Sequence, residues 1–124
     1  MNNNELSEKQ ITRKIQQNIA TLQHTKPSKI LSTRELHDKV AEVVAWEITE
    51  QRGRNVRIIP PPVGGPLSSE TKQQYRVRLF KWLIKITLAA STKKPKMALA
   101  LSLWLIKHST RPQQHKDQSL TLKF

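Results

Sequence analysis

Residues 75–90 decide the fold, and they read YRVRLFKWLIKITLAA. At 3.6 residues per turn this stretch has one broad apolar face and a second apolar face nearly opposite. The first face consists of Tyr75, Leu79, Trp82, Leu83, Ile86 and Ala90, and the second of Val77, Ile84 and Leu88. A helix that is apolar on two sides must lie between neighbours or in an oligomer. We therefore predict a helix over residues 69–90, N-capped by Ser68 or Ser69 with Glu70 in its first turn.

Two capping boxes predict two earlier helices. Ser7 is followed by Gln10, and Ser32 by Glu35, so each pair can satisfy backbone N–H groups reciprocally. Apolar residues recur at helical spacing after each box: Ile11, Ile15, Ile19 and Leu22 in the first case, and Leu36, Val40, Val43, Val44 and Ile48 in the second. The predicted helices cover residues 8–24 and 33–52, with Gly53 as the C-cap of the second.

A proline-rich break separates these helices from the stretch at 75–90. Residues 60–66 read PPPVGGP and cannot be helical, and residues 54–59 before them suggest a short extended segment. Pro95 suits the first turn of a fourth helix over residues 95–108, which is apolar all round and is therefore expected to be a central core helix. Residues 109–124 are predicted to be a flexible tail. The sequence thus predicts one all-α domain, a bundle of about four helices with a Pro/Gly-rich central connector.

The excess of positive over negative charge lies entirely in the second part of the chain. Lys and Arg number 22 against 9 Asp and Glu, which gives a net charge of +13. Residues 1–50 carry seven basic and seven acidic residues, whereas residues 51–124 carry fifteen basic residues and only Glu70 and Asp117 as acids. Solubility alone requires a much smaller net charge, so the asymmetry predicts a polyanionic partner.

The residues that catalysis or metal binding would need are missing or scattered. The 124-residue chain contains no cysteine, which excludes disulfides, cysteine nucleophiles and thiolate metal sites. Its four histidines have no ligand spacing, and the second part has no pair of carboxylates for acid–base work. Neither a phosphate-binding glycine loop nor a Gly-x-Ser-x-Gly motif is present. We therefore expect a non-catalytic protein without a metal or other cofactor.

Three basic clusters form the candidate nucleic-acid site. They are Arg52, Arg54 and Arg57 at and just after the end of the second predicted helix; Arg76, Arg78, Lys81 and Lys85 on the third helix; and Lys93, Lys94 and Lys96 in the junction before the fourth. Clustered cations neutralise phosphates and release condensed counterions. The sequence has no zinc-finger, homeodomain or RNA-recognition signature. We therefore predict charge-driven, weakly sequence-dependent binding to the backbone of DNA or RNA.

A basic, all-helical chain of this size without a catalytic set resembles the small subunit of type I CRISPR interference complexes, the Cascade small subunit. Residues 7–108 carry the resemblance, which assigns no individual residue. It implies a subunit that lines the belly of a ribonucleoprotein complex and contacts neighbouring subunits, which can include copies of itself. It also implies that the chain holds a displaced or target DNA strand by its backbone.

Three other functions fit the same composition. Basic amphipathic helices beside Trp and Leu suit a membrane-surface protein, an acidic partner would suit a protein adaptor, and a phage or plasmid DNA-maintenance protein shares these gross features. The N-terminal residues 1–5 show no secretory signal, and the fourth helix is too short to cross a bilayer. Together with the lack of cysteine, this leads us to expect a cytoplasmic protein outside the membrane.

Overall fold

A computed structural model describes residues 7–50, 60–62 and 64–110, with the backbone alone for residues 47–50. It confirms the predicted all-α class, because four helices pack together beside a very small sheet. The elements in chain order are α1 (Glu8–Leu22), β1 (Lys26–Pro27), α2 (Thr33–Glu50), α3 (Lys72–Ala90), α4 (Pro95–Lys107) and β2 (Ser109–Thr110).

The first two helices begin at the predicted capping boxes. In α1 the Ser7 hydroxyl accepts from the Gln10 N–H at 3.2 Å, and the Gln10 side chain accepts from the Ser7 N–H at 2.9 Å. Ser32 and Glu35 make the same exchange at α2, at 3.1 and 3.0 Å. The predicted stripe of α1 is buried from Ile11 to Leu22. Residues 51–52 of the predicted second helix, and its Gly53 cap, lie outside the described residues.

The third helix begins later than predicted, at Lys72. Thr71 is the N-cap, and its hydroxyl accepts from the Gln74 N–H while the Gln74 side chain accepts from the Thr71 N–H. This reciprocal pair satisfies two backbone donors, so it outcompetes Ser68 and Ser69 as the start. Glu70 consequently precedes the helix, where its carboxylate accepts from the Leu67 N–H at 3.0 Å.

The third helix is the centre of the bundle. It packs against α1, α2, α4 and β1, which confirms that it lies between neighbours. All six residues of its first predicted face are buried, and Phe80 and Thr87 extend that face. The second predicted face is only half covered, since Val77 and Ile84 are half-buried and Leu88 is 55% exposed.

The prediction that the fourth helix is covered on all sides is wrong. It packs against α1 and α3 through Ala98, Leu101, Ser102 and Leu105. Its opposite side, with Lys96, Ala100, Leu103 and Lys107, is exposed, because no described element lies over it. The Pro95 start is confirmed.

The predicted flexible tail, residues 109–124, starts before the folded part of the chain ends. Ser109 and Thr110 pair antiparallel with Pro27 and Lys26, and the Thr110 hydroxyl also donates to the Lys26 carbonyl at 3.0 Å. Those bonds hold the end of α4 against the connection between α1 and α2. Residues 111–124 lie outside the described residues.

Candidate nucleic-acid interface

The Arg76 side chain is directed into the protein. Its guanidinium donates to the backbone carbonyls of Ser28 and Leu31, and its Nη1 donates to the Gln73 side chain at 2.6 Å. Its Nε is buried and has no hydrogen-bond partner among the described residues. Arg76 therefore fixes the connection between α1 and α2 onto α3, and its charge is already engaged by the protein.

Arg78 is engaged by an ion pair. Its Nε and Nη2 donate to the two carboxylate oxygens of Glu70 at 2.9 and 2.8 Å, which is a bidentate arrangement. These hydrogen bonds from Arg78, followed by one from the Leu67 N–H, hold the pKa of Glu70 below its ordinary value. The carboxylate in turn raises the pKa of Arg78. As long as Glu70 is charged, Arg78 has little capacity left for a phosphate.

The lysines of α3 are arranged differently from its arginines. Lys81 and Lys85 are exposed and lie one turn apart on one side of the helix, in line with the exposed Gln74. No described acidic side chain forms an ion pair with either lysine. These two side chains are thus the part of the predicted α3 cluster that faces solvent.

The junction lysines continue the basic surface beyond the end of α3. Lys93 and Lys94 lie in the turn that follows Ala90, and Lys96 lies in the first turn of α4, with all three side chains exposed. The first turn of α4 contains no acid and its N-cap makes no side-chain capping bond. The positive charges of these lysines are unfavourable next to the positive end of the α4 helix dipole. An anion bound there would offset this repulsion. The remaining predicted cluster, Arg52, Arg54 and Arg57, lies outside the described residues.

Tyr75 attaches the connector to the bundle. Its buried hydroxyl accepts from the Gly65 N–H at 3.2 Å and lies 2.6 Å from Nε2 of His37 on α2. Gly65 has a φ of +95°, a conformation that L side chains rarely adopt and glycine adopts freely. The Arg78 guanidinium lies over the Tyr75 ring, 5.2 Å from its centroid. Sequence analysis did not identify this three-way contact, which joins α2, α3 and the connector.

The attached connector forms one wall of a groove on α3. The groove has a volume of about 440 Å³. Among the described residues, it is lined by Pro60 and Pro62 from the connector and by Gln74, Val77, Arg78, Lys81, Trp82 and Lys85 from α3. The two solvent-facing lysines of α3 therefore border an apolar groove. Sequence analysis placed the prolines in a connector and Val77 on an apolar face, and it gave neither a role in binding.

The described residues contain no group of three or more His, Asp or Glu side chains that could hold a metal ion. Besides Glu70, Glu35 has a lowered pKa, chiefly because its carboxylate accepts hydrogen bonds from Ser32 at the start of α2. This is the ordinary electrostatics of a helix start.

Removing the charge of Glu70 is expected to strengthen anion binding. The E70Q variant keeps an acceptor for the Leu67 N–H but releases the Arg78 charge toward a ligand. We expect a slope of log affinity against log salt that is steeper by about 0.7 on single strands, the value for one more phosphate neutralised. Fluorescence anisotropy with a labelled oligonucleotide measures it.

The matched control for this prediction is E42Q, which removes the same charge from α2, where Glu42 pairs with Lys39. It should leave the slope as it is in the wild type. If E70Q and E42Q give the same slope, then Arg78 does not reach the bound nucleic acid.

Comparisons with known proteins add no identification. No protein-family model, no curated protein and no solved structure matches this chain. None of the helices in the described part of the chain is both long enough and apolar enough to cross a membrane.

Proposed function

We propose that this protein is a non-catalytic subunit that holds nucleic acid by its phosphate backbone. The binding surface consists of Lys81 and Lys85 on α3 together with Lys93, Lys94 and Lys96 at the junction; we call these five residues the lysine track. Lys85 lies five residues before the end of α3, and the junction lysines follow directly, so the track continues from one element to the next.

The observation that carries this proposal is the scarcity of acidic residues in the part of the chain that bears the track. From residue 60 to residue 110 the chain contains one acid, Glu70, and Arg78 already occupies it. The five lysines are exposed, on α3 and on the junction that follows it. A polyanion that binds them would release its own condensed counterions, which is the main driving force of non-specific nucleic-acid association.

The role as a subunit rests on the resemblance to the Cascade small subunit and on the exposed side of α4. That side includes Leu103, which is 46% exposed, next to Lys96 and Lys107 along the helix. An apolar side chain within a basic, solvent-facing strip offers contact area to a neighbouring protein while the lysines face its nucleic acid. In such a complex the chain would hold a target or displaced DNA strand.

The double variant K81Q/K85Q tests the contribution of α3. It removes two charges from exposed positions without touching a buried contact, so the fold should persist. We expect about a tenfold loss of affinity for an oligonucleotide at low salt and a slope flatter by about 1.4 on single strands, which is two phosphates fewer. Electrophoretic mobility shift or anisotropy titrations measure both quantities.

The control for this experiment removes the same charge from the electrically neutral half of the chain. The K9Q/K14Q variant changes two exposed residues of α1 and should bind like the wild type. Equal losses from both double variants would show that only net charge matters and would refute a track on α3 and the junction. Binding to anionic liposomes but not to oligonucleotides would favour a membrane-surface protein instead.

A further inference from the structure

The shape of the groove beside Lys81 and Lys85 limits what can enter it. The lining of α3 runs from Gln74 to Lys85, which corresponds to roughly 16 Å along the helix axis. With a volume of about 440 Å³ spread over that length and one side open to solvent, the groove is long and shallow, which suits the rings or side chains of an extended ligand that lies along α3.

The lining indicates a ligand that alternates apolar and anionic groups. Pro60, Pro62, the half-buried Val77 and the edge of the buried Trp82 give the groove apolar walls. Lys81 and Lys85 stand at its solvent side, one helical turn apart. Each nucleotide of a single strand offers one flat base with two apolar faces and one phosphate. Successive nucleotides can thus place bases in the groove while their phosphates remain at the lysines.

An extended acidic peptide fits the charge but not the hydrogen-bonding groups. Proline has no backbone N–H, so Pro60 and Pro62 present no donor from their wall. The backbone groups of α3 are bonded within the helix, so the other wall cannot pair with a peptide strand either. A peptide strand could therefore not form a backbone hydrogen-bond ladder with either wall, as strand addition requires. Nucleic acid needs no such ladder, because its bases stack on apolar side chains and its phosphates bind lysines.

On these grounds we propose that the groove between the connector and α3 receives unpaired bases, so that the protein binds single-stranded nucleic acid in preference to duplex. This inference rests on the proposed function, because the phosphates must lie on Lys81 and Lys85 for the bases to reach the groove. In a duplex the bases are stacked and paired inside the helix. A duplex can therefore meet the lysine track but cannot fill the groove.

Three oligonucleotides of equal length distinguish base binding in the groove from phosphate binding on the lysine track: a single strand of thymidines, the corresponding abasic strand, and a duplex. Anisotropy titrations at several salt concentrations give affinity and slope for each. We expect wild-type protein to bind the thymidine strand about tenfold more tightly than the abasic strand, near the lower end of the contribution of base contacts. The duplex should bind more tightly than the abasic strand only to the extent that its larger phosphate density explains.

Two variants test whether the preference for the thymidine strand over the abasic strand comes from the groove. V77Q makes one wall polar without changing the charge, and P62S does the same on the opposite wall. Each should bring the ratio of thymidine to abasic affinity close to one, while the affinity for the abasic strand and its salt slope stay at wild-type values. K81Q/K85Q should instead weaken the binding of both strands and flatten the salt slope of both, and it should weaken the thymidine strand at least as much as the abasic strand. Thermal melting followed by circular dichroism confirms that the variants remain folded.

The outcomes distinguish this inference from the function on which it rests. If wild-type protein binds thymidine and abasic strands alike, with a steep salt slope on both, the groove does not bind bases although the track binds phosphate. If neither strand shows a slope steeper than about −1, the proposed function itself fails. If thymidine and abasic strands bind alike and a peptide of alternating glutamate and proline binds wild type but not V77Q, the groove is a peptide site and this inference is overturned.

Discussion

We expect the R76M variant to lose about 3 kcal/mol of unfolding free energy. The sequence alone groups Arg76 with cations that were predicted to bind phosphate. The guanidinium donates to the Ser28 and Leu31 carbonyls in the connection between α1 and α2. Hydrogen bonds from a charged donor contribute about 1.5–3 kcal/mol each. Their removal takes the charged donor from both carbonyls, although the Ser28 carbonyl still accepts from the Leu31 N–H. Methionine retains much of the apolar stem, so the loss reflects mainly the missing donors.

Urea denaturation measures this loss, and R78M is the matched control two residues away. Arg78 makes an ion pair with Glu70 in which its own side chain is 35% exposed, so water can replace part of the interaction and the pair contributes less than the contacts of Arg76. We therefore expect R78M to unfold close to the wild-type midpoint and R76M well below it, with similar m-values. If the two variants were equally stable, the contact of Arg76 with the α1–α2 connection would not stabilise the fold.

Neutralising the whole lysine track should abolish most nucleic-acid binding. With Lys81, Lys85, Lys93, Lys94 and Lys96 changed to glutamine, we expect at least about a 100-fold loss of affinity at 0.15 M salt. Each lysine that is lost removes the free energy of releasing one counterion. Because free energies add, the corresponding factors in affinity multiply. Anisotropy titration of a labelled single strand measures the change.

Net charge needs a control of equal size, because charge alone accelerates association. Changing Lys9, Arg13, Lys14, Lys26 and Lys29 to glutamine removes the same five charges from exposed positions in and just after α1. This control should lose only a few-fold. A control that loses as much affinity as the track variant would mean that the lysines act through the overall field and not as a binding surface.

The sequence alone predicts the helices whose start signals lie within a few neighbouring residues. Each of the first two capping boxes lies within four residues, and the apolar stripe of α1 follows directly, so both were readable from spacing. The start of α3 was missed although the same kind of box, Thr71 with Gln74, was present. Ser68, Ser69 and Glu70 offered a competing start, and in the folded protein Glu70 instead precedes the helix and binds Arg78.

The candidate site was less predictable because it depends on distant contacts. In the sequence, one run of cations contains Arg76, Arg78, Lys81 and Lys85. In the structure, the two arginines bind groups that the sequence does not identify. Arg76 reaches carbonyls more than 40 residues away, and Arg78 meets an acid that precedes its helix. Spacing also gave no reason to place the proline segment beside α3. That placement depends on the Tyr75 hydroxyl and on one glycine with a positive φ.

The central claim is that five lysines on α3 and the α3–α4 junction hold phosphates, and the salt dependence of wild-type binding tests it most directly. Affinity for one labelled single-stranded oligonucleotide should be measured across a series of salt concentrations. If each of the five lysines neutralises one phosphate, the slope of log affinity against log salt is about −3.5. A slope no steeper than about −1, equivalent to roughly one phosphate, would contradict the claim.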